Sequence, residues 1–468
     1  MDLSEFSSWN YLIQIAILLV VILIANVIRR KVKFIRNSLL PSSVIAGIII
    51  FLFKFIPAVS SFFDSSFMEV VTYHCLGLGF IALALKTGVK SKDKNKLAVM
   101  DTGLVTVNSY LVQGIIGLGL SLLLSVTIFK NLFYASGLLL PMGFGQGTGQ
   151  ALNIGAVFES LGFENGTSFG LTIAAFGFLI ACIVGVIYMN ILKKKGKLSI
   201  QEQRIANTKL DSNIYAEDEA PLNESVDKLT IQVAFILGIY LLTYLIILGL
   251  STLSVNYLGN FGLKTIKPLL WGFNFLFGTA IAILVKKILA KLKEKKIVNH
   301  SYINNYMMNR LSGLFFDVMI VAGIAAIDWQ NLKGLFFPLL IICTFGAIGT
   351  FIYVKYICKK IYPDYPYEAF FSMFGMLTGT ASTGMILLRE IDPNFETPAA
   401  DNLVLQTLPA IVFGAPLLLL MSFAGQSYTN SLIVFGIIVV MFVAYNILLL
   451  RNFIFQKKKK KEVETTKE

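Results

Sequence analysis

Between two long apolar segments the chain reads "PMGFGQGTGQALNIGAVFES", from Pro141 to Ser160. Glycine-broken backbone there carries amide and hydroxyl side chains, in Gln146, Gly147, Thr148, Gly149, Gln150 and Asn153. A second stretch, "FGMLTGTASTGMILLREIDPNFET" at 374 to 397, offers Thr378, Gly379, Thr380, Ser382, Thr383 and Arg389. In apolar surroundings such residues can replace the water around a small ion or a polar solute. Glycine permits close backbone approach. Free N–H groups at a helix N-terminus favour anions, free C=O groups at a C-terminal end favour cations, and neutral oxygens complete the shell. Arg389 can grip a carboxylate bidentately or anchor at an interface. The GxxxG spacings at Gly143/Gly147 and Gly145/Gly149 also suit plain helix packing. Two copies of the pattern favour a binding site.

Three further polar residues lie inside apolar runs. Asp317 is a carboxylate expected to need a partner in a span, which makes it a candidate neighbour of a cation, with a neutral or helix-capping aspartate as the open alternative. Asn108 and Gln113 are softer candidates for the same neighbourhood, since amides on apolar helices also serve as interhelical links.

Other chemistries find little support. Cys75, Cys182, Cys343 and Cys358 form no CxxC pair and show no metal-ligand spacing, so they read as core thiols. His74 and His300 are far apart, and no HExxH, acidic pair or GxSxG elbow is present. An enzyme would need a constellation that this chain does not show, and no cofactor is implied.

The elements that must position these residues follow from composition. With 56% hydrophobic and 14% charged residues, the chain lies outside the soluble range and reads as an all-α polytopic membrane protein. About eleven runs are long enough to span a bilayer: Tyr11–Ile28, Leu39–Ile56, Met68–Leu85, Leu104–Phe129, Thr167–Leu192, Leu229–Leu250, Ile266–Leu289, Met307–Ile327, Leu335–Ile357, Leu403–Phe423 and Ser431–Leu450. The first is expected to stay as an anchor rather than be cleaved. The net charge of +13 collects in alternate short links such as "RRKVKFIR" at 29–36 and "QKKKKK" at 456–461. The positive-inside rule explains this without a nucleic-acid partner. It places the N-terminus outside and the C-terminus in the cytoplasm.

That alternation holds only if Leu132–Ser160 and Phe370–Glu390 do not cross, so each is expected to be a re-entrant hairpin. The polar segment 193–228 reads as a cytoplasmic linker between two similar halves, 1–192 and 229–423, with 424–468 forming an extra helix and basic tail. Gly145 aligns with Gly375 and Gly149 with Gly379, and "LPSSVIAGIIIFLF" near Pro41 echoes "KPLLWGFNFLFGTA" near Pro268. An odd number of spans per half inverts the second copy, the arrangement of secondary transporters.

At this level the residues resemble the bacterial sodium/glutamate symporter family, from about Pro41 to Pro416. "GFGQGTGQALNIGAVFESLGF" is similar to its glycine-rich first hairpin, "GMLTGTASTGMILLREIDP" to its second, and "LVQGIIGLGLSLLL" at 111–124 to its fourth helix. Gln146 stands where better-known members have histidine, and Ser431–Leu450 is an additional span. The resemblance implies two inverted five-helix repeats with opposed re-entrant hairpins, a homodimer in the plasma membrane, an elevator motion, a glutamate-like anion as substrate and Na+ as coupling ion. Bringing one net negative charge into an inside-negative cell costs about 2.3 kcal/mol per 100 mV, so at least two sodium ions per glutamate are expected. Citrate, malate or aspartate as substrate, protons in place of sodium, and a passive channel remain the alternatives.

Overall fold

The computed structural model describes residues 6–33, 35, 40–56, 63–86, 96–198, 228–297, 302–328, 332, 334–392 and 397–451. Expectations that rest on residues 1–5, on the link 87–95, on most of the linker (199–227), on His300 and on the basic tail 452–468 lie outside these. Among the described residues every regular element is helical. The helices are α1 (Phe6–Lys31), α2 (Ser42–Phe53), α3 (Ser65–Leu85), α4 (Lys96–Val126), α5 (Leu139–Gln146), α6 (Thr148–Ser160) and α7 (Gly166–Lys194). There follow α8 (Lys228–Phe261), α9 (Lys267–Gly272), α10 (Asn274–Glu294), α11 (Asn305–Ala326) and α12 (Phe336–Ile361). The last are α13 (Pro366–Thr378), α14 (Ala381–Arg389), α15 (Ala399–Leu405), α16 (Thr407–Ala424) and α17 (Tyr428–Leu449).

Eight of the expected spans form helices long and apolar enough to cross a bilayer. The other three differ in detail. The run at 39–56 yields the 12-residue α2. Ile266–Leu289, expected as one span, breaks after Gly272 into α9 and α10, and α10 carries Lys286, Lys287, Lys291 and Lys293 towards its end. Leu403–Phe423 divides at Gln406 into α15 and α16. Local signals set several helix starts: Asp64 accepts from Ser66 N–H to open α3, Asn304 accepts from Met307 N–H to open α11, and Pro366 stands at the first position of α13.

The chain forms two compact units. Unit 1 takes residues up to Val27, Ser42–Lys90 and Ile200–Ile327; unit 2 takes Ile28–Pro41, Ser91–Ser199 and Asp328–Glu468. Each unit thus draws helices from both halves.

In unit 1, α3 and α11 pack antiparallel: Gly79 lies against Phe316, and Lys86 Nζ donates to Asn309 Oδ1 at 2.9 Å. Each carries one further helix in the same manner. Gly47 of α2 abuts Ile324 of α11, and Gly278 of α10 abuts Ile81 of α3. About two turns beyond each glycine, a lysine caps the partner's C-terminal carbonyls. Lys54 Nζ donates to Ala325 O (2.8 Å) and Ile327 O (3.3 Å) at the end of α11. Lys286 Nζ donates to Ala84 O (2.7 Å) and Lys86 O (2.8 Å) at the end of α3.

Unit 2 is built on α4 and α7. Lipid is as apolar as leucine, so helices in a bilayer are held by close packing rather than by expulsion of water. Glycine supplies that closeness here: Gly117 of α4 and Gly137, just before α5, meet backbone to backbone, so that a methyl on either would strike the other's carbonyl. The additional helix α17 runs antiparallel along α4. Ile438 faces Gly114, Phe435 faces Gly119, Tyr428 meets Tyr134 edge to face, and Arg451 Nη1 bonds Asp101 Oδ1 at 2.7 Å. At the same end of α4, Tyr362 donates to Thr102 Oγ1 at 2.9 Å. Burial pushes that phenol well above its usual range, so it stays a neutral donor.

Candidate functional site

Two helical hairpins, α5–α6 and α13–α14, flank α7. Their helices hold 8, 13, 13 and 9 residues, or about 12 to 20 Å of rise each, short of a bilayer core of about 30 Å. In the first hairpin, Phe133 stacks on Phe163 with centroids 5.0 Å apart and lies 5.4 Å from Phe158, so the chain leaves where it came in. That open end lies beside the start of α7, where Phe163 meets Phe169. Glu159 accepts there from Thr167 N–H (2.9 Å) and Oγ1 (2.7 Å), closing the turn into α7. In the second hairpin, Gly375 lies against Gly384, and the open end lies towards the other end of α7, where Tyr188 contacts Phe370 and Phe371.

The tips meet between these ends. Gly147 separates α5 from α6 at φ 82° and ψ −168°, a region nearly restricted to glycine that costs an L side chain about 1–3 kcal/mol, which is why glycine is needed there. A methyl placed on it would stand 3.5 Å from Thr380 Cγ2 and 3.8 Å from Gly379 O. Gly177, near the middle of α7, receives Phe144 of the first hairpin and the Thr378 carbonyl of the second. At the second tip, Thr380 Oγ1 caps α14 by accepting from Thr383 N–H at 3.4 Å and stands 3.3 Å from Thr383 Oγ1. Two helix N-termini, those of α6 and α14, therefore begin at the junction, and two C-termini, those of α5 and α13, end there.

Both hairpins hold the residues singled out in the sequence. Thr148, Gly149, Gln150 and Asn153 are buried in the first turns of α6, and Gln146 is half-buried. Gln150 has both amide atoms buried without a hydrogen-bond partner. Thr378, whose Oγ1 donates to Phe374 O at 2.7 Å, Gly379 and Thr383 are buried, and Thr380 is half-buried. Ser382 lies in the first turn of α14, its side chain outside the described residues. Arg389 is exposed in the last turn of α14, at the opposite end of that helix from the tip. Asn108 and Gln113 are fully buried on α4 in unit 2, whereas Asp317 belongs to unit 1 and is exposed on α11. Unit 2 thus gathers the two amides without the carboxylate.

Sequence reasoning passed over Tyr110 and Gln406. Tyr110 donates to Gly145 O at 3.2 Å, and its ring takes the space that a methyl on Gly145 would need. Gln406 Nε2 lies 3.1 Å from Met376 Sδ, and its Oε1 is buried without a partner. A tyrosine in an apolar run looks like ordinary core, so only its spacing from Gln113 offered a signal. Among the described residues no three His, Cys, Asp or Glu side chains converge. The polar atoms gathered at the tips are amide, hydroxyl and backbone oxygens and N–H groups, a donor set suited to hard, weakly held ions and carboxylates.

The fold and this junction define a multi-pass membrane protein of the transporter class, with broken helices meeting around buried polar groups. A family model described as sodium/glutamate symporter matches residues 8–369, most of the chain, and the protein belongs to that family. The match ends within α13, ahead of the second tip. No curated protein matches the chain. At family level this makes the protein a transporter of the sodium/glutamate symporter kind, with Na+ as the coupling ion.

Proposed function

We propose that the protein imports L-glutamate, or a closely related amino acid or dicarboxylate anion, together with sodium ions, and that the substrate binds where the two tips meet. The observation that carries this reading is the convergence of Gly147 on Gly379 and Thr380, beside the unpartnered amide of Gln150. The N-termini of α6 and α14 bring partial positive charge and free N–H groups towards a carboxylate; the C-termini of α5 and α13 bring carbonyl oxygens towards a cation. Two sodium ions per monoanionic glutamate leave one net positive charge moving inward, which makes uptake electrically downhill.

The same reading places the two hairpins as re-entrant from opposite membrane faces, in an inverted repeat with the N-terminus outside and the C-terminus in the cytoplasm. It is supported by the opposed open ends along α7 and by the paired arrangement of α2 on α11 and α10 on α3. An elevator motion of a homodimer suits a chain in which one compact unit carries both tips.

Proteoliposomes offered labelled glutamate, aspartate, citrate and malate, with sodium or choline outside, test the proposal. Glutamate uptake should need the inward sodium gradient and rise with an inside-negative potential. Equal uptake in choline overturns sodium coupling, and preference for citrate or malate overturns the amino-acid assignment.

A further inference from the structure

Tyr110, Gln113 and Gly117 recur on α4 at intervals of three and four residues, so they share one helix face. That face meets both hairpins. Tyr110 Oη donates to Gly145 O (3.2 Å), one of the last carbonyls of α5, which have no partner within their own helix. Gln113 Nε2 donates to Leu377 O (2.7 Å) and to Thr350 Oγ1 of α12 (3.0 Å); Leu377 O is one of the last carbonyls of α13. The two helices that run inward to the tips are thus each held by their C-terminal end from adjacent turns of α4. The backbone contact of Gly117 with Gly137 fixes how close that face comes.

The Gln113 amide is only half used. Gln113 is fully buried, and its Oε1 has no partner, although it lies 3.2 Å from where a methyl on Gly145 would be. A buried acceptor left without a partner is unfavourable, and here it faces the end of α5, where the helix dipole is negative.

We propose that Tyr110 and Gln113 are positioning residues that couple the two tips, with Gln113 Oε1 receiving a dehydrated monovalent cation beside the end of α5. A cation on the amide oxygen polarises the amide and strengthens its N–H bond to Leu377. Sodium arriving at the first hairpin thereby firms the second, where the N-cap of α14 awaits the anion. Sodium and substrate then bind cooperatively, and the coupling is reciprocal. This rests on the sodium-coupled reading above.

The test measures glutamate half-saturation across a series of sodium concentrations, with full-length protein in proteoliposomes and with equilibrium binding in detergent. Wild-type protein should show glutamate half-saturation falling steeply as sodium rises; a flat wild-type response would overturn the sodium-coupled reading itself. Gln113→Met keeps the bulk and removes both polar atoms. It should raise sodium half-saturation about 10-fold or more and flatten the sodium dependence of glutamate affinity. Tyr110→Phe keeps the ring and removes the hydroxyl, and should raise sodium half-saturation about 3-fold. The two effects should be non-additive in the double variant. A merely structural role would lower the amount of inserted protein or the maximal rate and leave the sodium dependence of glutamate affinity as in wild type; that result overturns the coupling. Should Gln113→Met fail to insert, Tyr110→Phe and Gln113→Glu, which removes the donor to Leu377 and retains an oxygen, decide the matter by the same readout.

Discussion

Thr380 has two contacts at the junction. Its Oγ1 caps α14 through Thr383 N–H, and its Cγ2 faces Gly147 of the first hairpin. Thr380→Val, nearly isosteric, removes the cap, worth about 0.5–2 kcal/mol, and any bond to a charged ligand, worth about 1.5–3 kcal/mol. Glutamate half-saturation measured at fixed sodium should therefore rise by roughly one to two orders of magnitude. Thr380→Ser keeps the oxygen and should stay close to wild type. If Val matched wild type, the hydroxyl would belong to packing alone. The tips stand out in the sequence because glycine, threonine and amides gather twice between apolar runs, although their GxxxG spacing also suits helix packing. Asp317 was less legible. A carboxylate in a span announces that it needs a partner without saying which compact unit the helix joins, and α11 joins unit 1 while Asn108 and Gln113 lie in unit 2.

At the level of elements, the two lysine caps of unit 1 repeat a single design. In each, a glycine lets a helix approach the partner and a lysine further along meets the partner's last carbonyls, Gly47 with Lys54 on α11 and Gly278 with Lys286 on α3. Because α3 and α11 are antiparallel, the caps stand at opposite ends of the pair, which fits the inverted repeat proposed above. Lys54→Met and Lys286→Met should each destabilise by about 1–2 kcal/mol, since each strips hydrogen bonds from a charge to helix-end carbonyls. Thermal unfolding in detergent should show similar downward shifts that add in the double variant, because the sites are independent. A shift from one lysine and none from the other would argue against equivalence. In the sequence this pairing corresponds only to a loose echo near Pro41 and Pro268. The lysines themselves looked like interfacial charge, since a cap is defined by the carbonyls it meets, far away in sequence. The breaks after Gly272 and at Gln406 were hidden for a related reason: apolar runs continue through both, and hydropathy does not register a local interruption of the helix.

For the whole molecule, the charge alternation of the links and the geometry of unit 2 make the same demand on topology. The links keep their sign pattern only if neither hairpin crosses, and the structure gives each hairpin an open end at a different end of α7, marked by Phe133 with Phe163 and by Tyr188 with Phe370. The division into two units was not legible, because hydropathy and charge act along the chain, whereas the units are sorted by contacts between the halves. Single cysteines in a background lacking Cys75, Cys182, Cys343 and Cys358 test the crossing directly. Three of these thiols are buried and Cys75 is partly so, so small replacements at all four should be borne. A cysteine at Ser160, which is exposed at the open end of the first hairpin, should react with an impermeant thiol reagent from outside. One at Glu368, near the start of α13, should react only from the cytoplasmic side. Cysteines at the tip positions Gly149 and Ser382 should change reactivity when sodium and glutamate are added, if the tips bind them as proposed. Labelling of both Ser160 and Glu368 positions from outside would mean that at least one hairpin crosses. The inverted repeat, the cytoplasmic C-terminus and the binding site at the tips would then fall together, because each depends on both hairpins turning back.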